Sequence, residues 1–161
     1  MNDDINPLVI LVWSSLTLVA VFTLQYGFGL DPCPLCTLQR IPYGVAEVFA
    51  AMAIFTRDAR IRGLLLLALG VIFIASIVLA FYHSGVEWKW WESACTMGTS
   101  PLADSPDQLM LRLSGGGHPV ACDVVRFRFL GFTLANYNLV ASIGLTIYAF
   151  WAASKAFKEA A

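Results

Sequence analysis

The sequence predicts an all-α membrane protein: a bundle of four transmembrane helices with a long loop between the third and the fourth. Three observations lead there. Of 161 residues, 58% are hydrophobic and only 13% are charged, whereas a soluble domain carries about 25% charged residues. The mean hydropathy is +0.71, too apolar for a water-soluble globule to cover itself with polar surface. The apolar residues also gather into four runs, each near the ~20 residues that cross a bilayer. A net charge of -1 gives no reason to expect a nucleic-acid partner.

The first span covers about residues 8–30. It is longer than the apolar core of a signal peptide, no basic residue precedes it and no clear cleavage site follows, so it is expected to be retained. The second run, 41–55, is short on its own, so the span is expected to begin near Cys36 and cover 36–55. The third covers about 63–82 and the fourth about 132–151, all within one integral domain spanning 1–161. The loop, about 83–130, opens with Glu87, Trp88, Lys89, Trp90, Trp91 and Glu92, a mixture suited to headgroup depth. Within it, Ser105 and Pro106 read as a helix start. Leu109, Met110, Leu111 and Leu113 make that short helix apolar, placed on the membrane surface or on the bundle top. Gly115, Gly116 and Gly117 form a flexible joint before Cys122.

Basic residues set the topology. Arg57, Arg60 and Arg62 crowd the link between spans two and three, and Lys155 and Lys158 follow span four. With four crossings these segments share one side, the cytoplasm, together with both termini. The opposite side then holds all four cysteines, and in a bacterium that side is the periplasm, where disulfides persist.

The chemistry gathers at Cys33-Pro34-Leu35-Cys36, at the mouth of span two, and at Cys95 and Cys122 in the loop. If span two begins near Pro34, Cys36 lies in its first turn, where unpaired N–H groups and the positive helix end favour thiolate. Arg40 follows at i+4 on the same face. It can steady a thiolate or a carbonyl oxygen gaining charge, or it can simply snorkel to headgroups. Gln39 adds a neutral donor. Pro32 and Pro34 hold Cys33 outside the helix. A CxxC pair of this kind readily forms a redox-active disulfide; two static staples are the plain alternative. A zinc site is weakly indicated, because Cys95 and Cys122 do not form a second CxxC. No metal is therefore expected. His83, at the end of span three, is either a hydrogen-bond donor to a quinone carbonyl or a wet interfacial residue. His118 reads as a solvated loop residue. Glu47, inside span two, is a functional candidate by position without an assigned role. Thiol pairs at a membrane surface suit electron transfer between dithiols and an acceptor in the lipid.

Cys33-Pro34-Leu35-Cys36 followed by Gln39-Arg40 resembles the C-x-L-C-x-x-Q-R signature of the disulfide bond formation protein B family, bacterial quinone-coupled membrane thiol oxidases. The likeness extends to Tyr82-His83, to the Cys95/Cys122 pair, and to Phe129-Leu130-Gly131-Phe132-Thr133-Leu134 before span four. Leu134-Ala135-Asn136-Tyr137 departs from the family pattern by lacking a common proline. The resemblance implies four catalytic cysteines, Cys33, Cys36, Cys95 and Cys122. It implies ubiquinone or menaquinone held by Cys36, Arg40 and His83, with no flavin or metal. It further implies a periplasmic thioredoxin-like partner of the DsbA type that attacks Cys95. Cys122 then attacks Cys33, and electrons leave from Cys36 to the quinone pool of the inner membrane. Epoxyquinone-reductase-like proteins also couple four thiols to a quinone, but their loop cysteines precede the CxxC. From another class, a membrane adaptor or transporter subunit would carry the same cysteines as static disulfides.

Overall fold

The computed structural model describes residues 5–92, 121–125 and 127–160. Cys95, His118, the expected 105–113 helix and the joint at 115–117 lie outside them. Helix α1 (Ile5–Phe22) continues into a π-helical turn, Thr23–Gly27. Gly29, at φ +66, lets the chain leave this helix in a left-handed conformation that a side chain disfavours. A short helix α2 (Pro34–Leu38) and α3 (Arg40–Phe55) meet at Gln39. Helix α4 (Ala59–Glu87) is followed by a two-residue ribbon, β1 (Arg128–Phe129) with β2 (Phe132–Thr133), and by α5 (Leu134–Glu159).

Among the described residues, three helical stretches are long and apolar enough to cross a membrane: Asn6–Gly27, Ala59–Glu87 and Leu134–Glu159. The expected second span is the exception. Helix α3 has 16 residues, about 24 Å at 1.5 Å per residue, and the turn at Gln39 separates it from α2. The third span is longer than its apolar run indicated. Asp58 caps its start by accepting from the amides of Arg60 (2.8 Å) and Ile61 (3.2 Å), and its last turn continues past His83 to Glu87.

The bundle packs through small residues, as helices in lipid do where close approach replaces hydrophobic collapse. Helix α4 lies chiefly on α5, and α3 sits between α1 and α4. Ala46, Ala50, Ala149, Ala152 and Ala153 are buried at these contacts beside Tyr43, Leu66, Leu69 and Phe73. Gly63 and Gly70 receive the rings of Phe157 and Phe150; an added Cβ would stand 2.8 Å from either ring. Large apolar side chains such as Leu16, Val48, Val78, Val140 and Ile147 face outward, the inverse of a soluble fold and the arrangement a hydrocarbon surround requires. Arg62 pairs with Glu159 at 3.5 Å, tying the start of α4 to the end of α5.

The ribbon is a hairpin in which Leu130 (φ 49) and Gly131 (φ 86) form the two-residue loop. Positive φ at both positions is the type I′ turn that matches strand twist. Its last residue, Thr133, caps α5 by accepting from the Asn136 amide at 3.3 Å. The departure from the family pattern at Ala135 thus leaves a capped helix entrance.

Candidate active site

Two prolines and a cap place the CxxC. Cys33 is the N-cap of α2, in extended conformation (φ -71, ψ 165), with Pro34 at the first helical position. Its sulfur accepts from the Cys36 amide at 3.2 Å, which sets Cys36 in the first helical turn, as the sequence predicts. Both stand as free cysteines, and the Cys33 thiol donates to the Cys36 sulfur at 2.8 Å. That hydrogen bond first, and burial second, push the Cys33 thiol up to about 12. Cys33 is therefore the protonated member of the pair, and its proton stabilises negative charge on Cys36.

Cys33 and Cys122 are buried in one cluster with Val86, against which Leu35, Cys36 and Trp91 pack. The structure thus brings together three of the four expected cysteines. Trp91 differs from the expectation of a purely interfacial anchor. It folds back onto α4, donating from Nε1 to the Tyr82 carbonyl (3.1 Å) and stacking on the Tyr82 ring. Gly85 makes the space; a Cβ there would overlap the Trp91 indole. Trp88 and Trp90 stay exposed.

His83 is not the wet interfacial residue that its place at the end of the apolar run allowed. It is 3% exposed. Its Nε2 lies 3.6 Å from Cys33 Sγ and 3.8 Å from Glu87 Oε1, and its Nδ1 lies 2.9 Å from Gln39 Nε2. Glu87 also accepts from Thr133 Oγ1 at 2.5 Å. Arg40 reaches toward α1, where its Nη1 donates to Gln25 Oε1 at 2.5 Å and its guanidinium lies 4.9 Å from the Phe22 ring centre. Gln25 belongs to the π-helical turn, a distortion common at functional sites. Glu47 accepts from Ser15 at 2.7 Å, pairing α3 with α1.

Beside these groups opens a cavity of about 460 Å³. Trp13, Leu16 and Ala20 of α1, Leu24 of the π-helical turn, and Val124 and Phe127 give it apolar lining. Its polar end holds Cys33, Cys36, Gln39, Arg40, His83 and Glu87. Sequence reasoning missed Gln25, Tyr43, Glu87, Asn138 and Thr133 as members of this site. Only Glu87 carried a signal, one helical turn after His83. The donor atoms of Cys33, Cys36 and His83 lie within 4.8 Å of one another, a set that a soft cation accepts.

Comparison with known proteins gives a consistent result. The family described as disulfide bond formation protein DsbB matches residues 4–152. Disulfide bond formation protein B of Xanthomonas euvesicatoria is 33% identical over 145 residues, covering 82% of this chain and 79% of that protein. The same-named protein of Hahella chejuensis is 33% identical over 144 residues, with 81% and 80% covered. An uncharacterized protein of Rickettsia prowazekii is 26% identical over 153 residues, with 88% and 82% covered. No solved structure matches.

Proposed function

Because the chain belongs to the disulfide bond formation protein B family, we propose that it is a quinone-dependent thiol oxidase that reoxidises a periplasmic thioredoxin-like oxidase of the DsbA type. The observation that carries this reading is the cavity at the CxxC. A quinone joins a flat polar ring to an apolar tail, and the cavity has an apolar flank and one polar end bearing Cys36 and Arg40. The residues present fit such a ligand. When bound, a quinone accepts two electrons and two protons.

The chain's own residues do the rest. The partner's thiolate attacks Cys95 of a Cys95–Cys122 disulfide, and the electron pair of the broken bond goes to Cys122. With Cys33 and Cys36 oxidised to a disulfide, Cys122 attacks Cys33, forming a Cys33–Cys122 bond, breaking Cys33–Cys36 and leaving the electron pair on Cys36. Cys36 holds that charge in the first turn of α2, lining the same cavity as Arg40. Arg40 sets a positive charge at the polar end of the cavity, with its guanidinium oriented by Gln25 and Phe22. A DsbA-type disulfide has a potential near about -120 mV, so its regeneration calls for a stronger oxidant than a structural disulfide. In this reading α2 and α3 together make the fourth crossing, the cysteines face the periplasm, and both termini face the cytoplasm of the bacterial inner membrane.

Anaerobic mixing of the purified protein with a quinone and a reduced thioredoxin-like partner tests this directly. Stoichiometric loss of quinone ultraviolet absorbance is expected with the natural chain and none with Cys36→Ser. Equal bleaching by the variant would reject the assignment.

A further inference from the structure

From the hydrogen-bond chain Tyr43–Asn138–Gln39–His83 we infer that His83 is fixed in the tautomer that donates from Nε2 toward Cys33, with Gln39 and Asn138 as its positioning residues. His83 on this account serves the sulfur. The inference deepens the thiol-oxidase reading and rests on it for its place in the reaction.

The chain crosses three helices. Tyr43 Oη of α3 donates to Asn138 Oδ1 of α5 at 2.6 Å, and Ser142 Oγ donates to the same oxygen at 3.3 Å. With its oxygen so occupied, Asn138 turns its Nδ2 to Gln39 Oε1 at 2.7 Å. Gln39 then presents its Nε2 to His83 Nδ1 at 2.9 Å. A second contact fixes the direction of the whole chain: Gln39 Nε2 also donates to the Leu79 carbonyl at 3.4 Å. A backbone carbonyl can only accept, so rotating the Gln39 amide would set two acceptor oxygens against each other. His83 Nδ1 is thereby the acceptor, and the ring proton of the neutral imidazole resides on Nε2. Gln39 is 7% exposed and Asn138 is half-buried.

The Nε2 proton faces Cys33 Sγ at 3.6 Å, with Glu87 Oε1 at 3.8 Å and the Cys122 backbone also engaging the ring. The consequence appears when Cys122 is displaced from Cys33 by another thiolate. A new disulfide forms at Cys122, the Cys33–Cys122 bond breaks, and its electron pair comes to rest on Cys33. A thiolate in this enclosed position needs a donor, and the relay holds one ready. Cys33 can then close the disulfide with Cys36 as Cys36 surrenders its electron pair to the acceptor.

Neither test requires a quinone or a soluble partner, so failure of the proposed activity and failure of this inference are separable. Nitrogen-15 NMR of the reduced full-length protein in detergent reads the tautomer, with His118→Asn used to assign the two histidines. An unprotonated Nδ1 and protonated Nε2 are expected at pH 8; a proton on Nδ1 overturns the proposal. The second readout is iodoacetamide modification of Cys33 against pH in a Cys36→Ser background, where His83, Glu87 and Cys122 are the titratable groups facing the sulfur. Asn138→Asp offers Gln39 Oε1 no donor and nearly keeps the shape. It should raise the apparent pKa of Cys33 by about one unit, which is a roughly tenfold slower reaction below it. An unchanged profile overturns the relay. Should this variant fail to fold, the tautomer of the natural chain still decides.

Discussion

At the scale of single residues, the site separates two sulfurs three positions apart by giving them opposite hydrogen-bond roles. Cys33 caps a helix and donates; Cys36 sits in the first turn and accepts. In the reduced protein at pH 8, alkylation is therefore expected at Cys36 first, and mass spectrometry of the modified peptides reads the order. Because the Cys33 thiol is raised to about 12, its protonated form favours the folded dithiol state below about pH 9, and that contribution fades as pH climbs toward 12. Reduced protein should lose melting temperature over that window more steeply than Cys33→Ser. Arg40 acts at the same scale. Arg40→Ala is expected to raise the apparent quinone KM about tenfold, the effect of losing about 1.4 kcal/mol of charge-assisted binding, and unchanged kinetics would remove Arg40 from the site. The CxxC was legible because Pro32 and Pro34 constrain its backbone locally. The Tyr43–Asn138 bond joins residues 95 positions apart, and no spacing in the sequence announces it.

At the scale of elements, the end of α4 does most to shape the site. Trp90 N bonds to the Gly85 carbonyl at 2.9 Å and Lys89 N to the Val86 carbonyl at 3.1 Å, the paired bonds of a Schellman stop. Lys89 takes the left-handed position at φ 59, where glycine is unstrained. Lys89→Gly should stabilise the fold by about 1 kcal/mol, measured as a rise in melting temperature in detergent; a fall would mean that the lysine side chain has a structural role of its own. This turn sends Trp91 back over Gly85. Apolar composition marked the existence of α4 well and its ends poorly, because Asp58 and Glu87 look like loop residues until one caps a helix and the other meets Thr133. Helix α3 is short by itself: it is separated from α2 at Gln39, where the backbone stays right-handed helical (φ -66, ψ -15) and the side chain joins the cross-helix relay.

For the whole molecule, the outward apolar surface and the clustering of Arg57, Arg60 and Arg62 argue for one orientation in the bilayer. Leu130, 80% exposed on the hairpin, and Arg57, in the α3–α4 link, should lie on opposite faces. In a chain lacking its native cysteines, Leu130→Cys should react with a membrane-impermeant maleimide added outside spheroplasts, while Arg57→Cys should react only after lysis. The reverse pattern would turn the topology over. The membrane character was readable from composition alone, since no arrangement of this many apolar residues satisfies water; the count of crossings depends on how α2 and α3 join, which composition does not encode. The indole of Trp91 adds a practical corollary. Fixed against the thiol cluster by the Gly85 notch, it is a built-in optical gauge, because neighbouring disulfides quench indole emission. With the other four tryptophans replaced by phenylalanine, its brightness should rise and fall with each turnover, reporting the oxidation state of the buried sulfurs without any added dye.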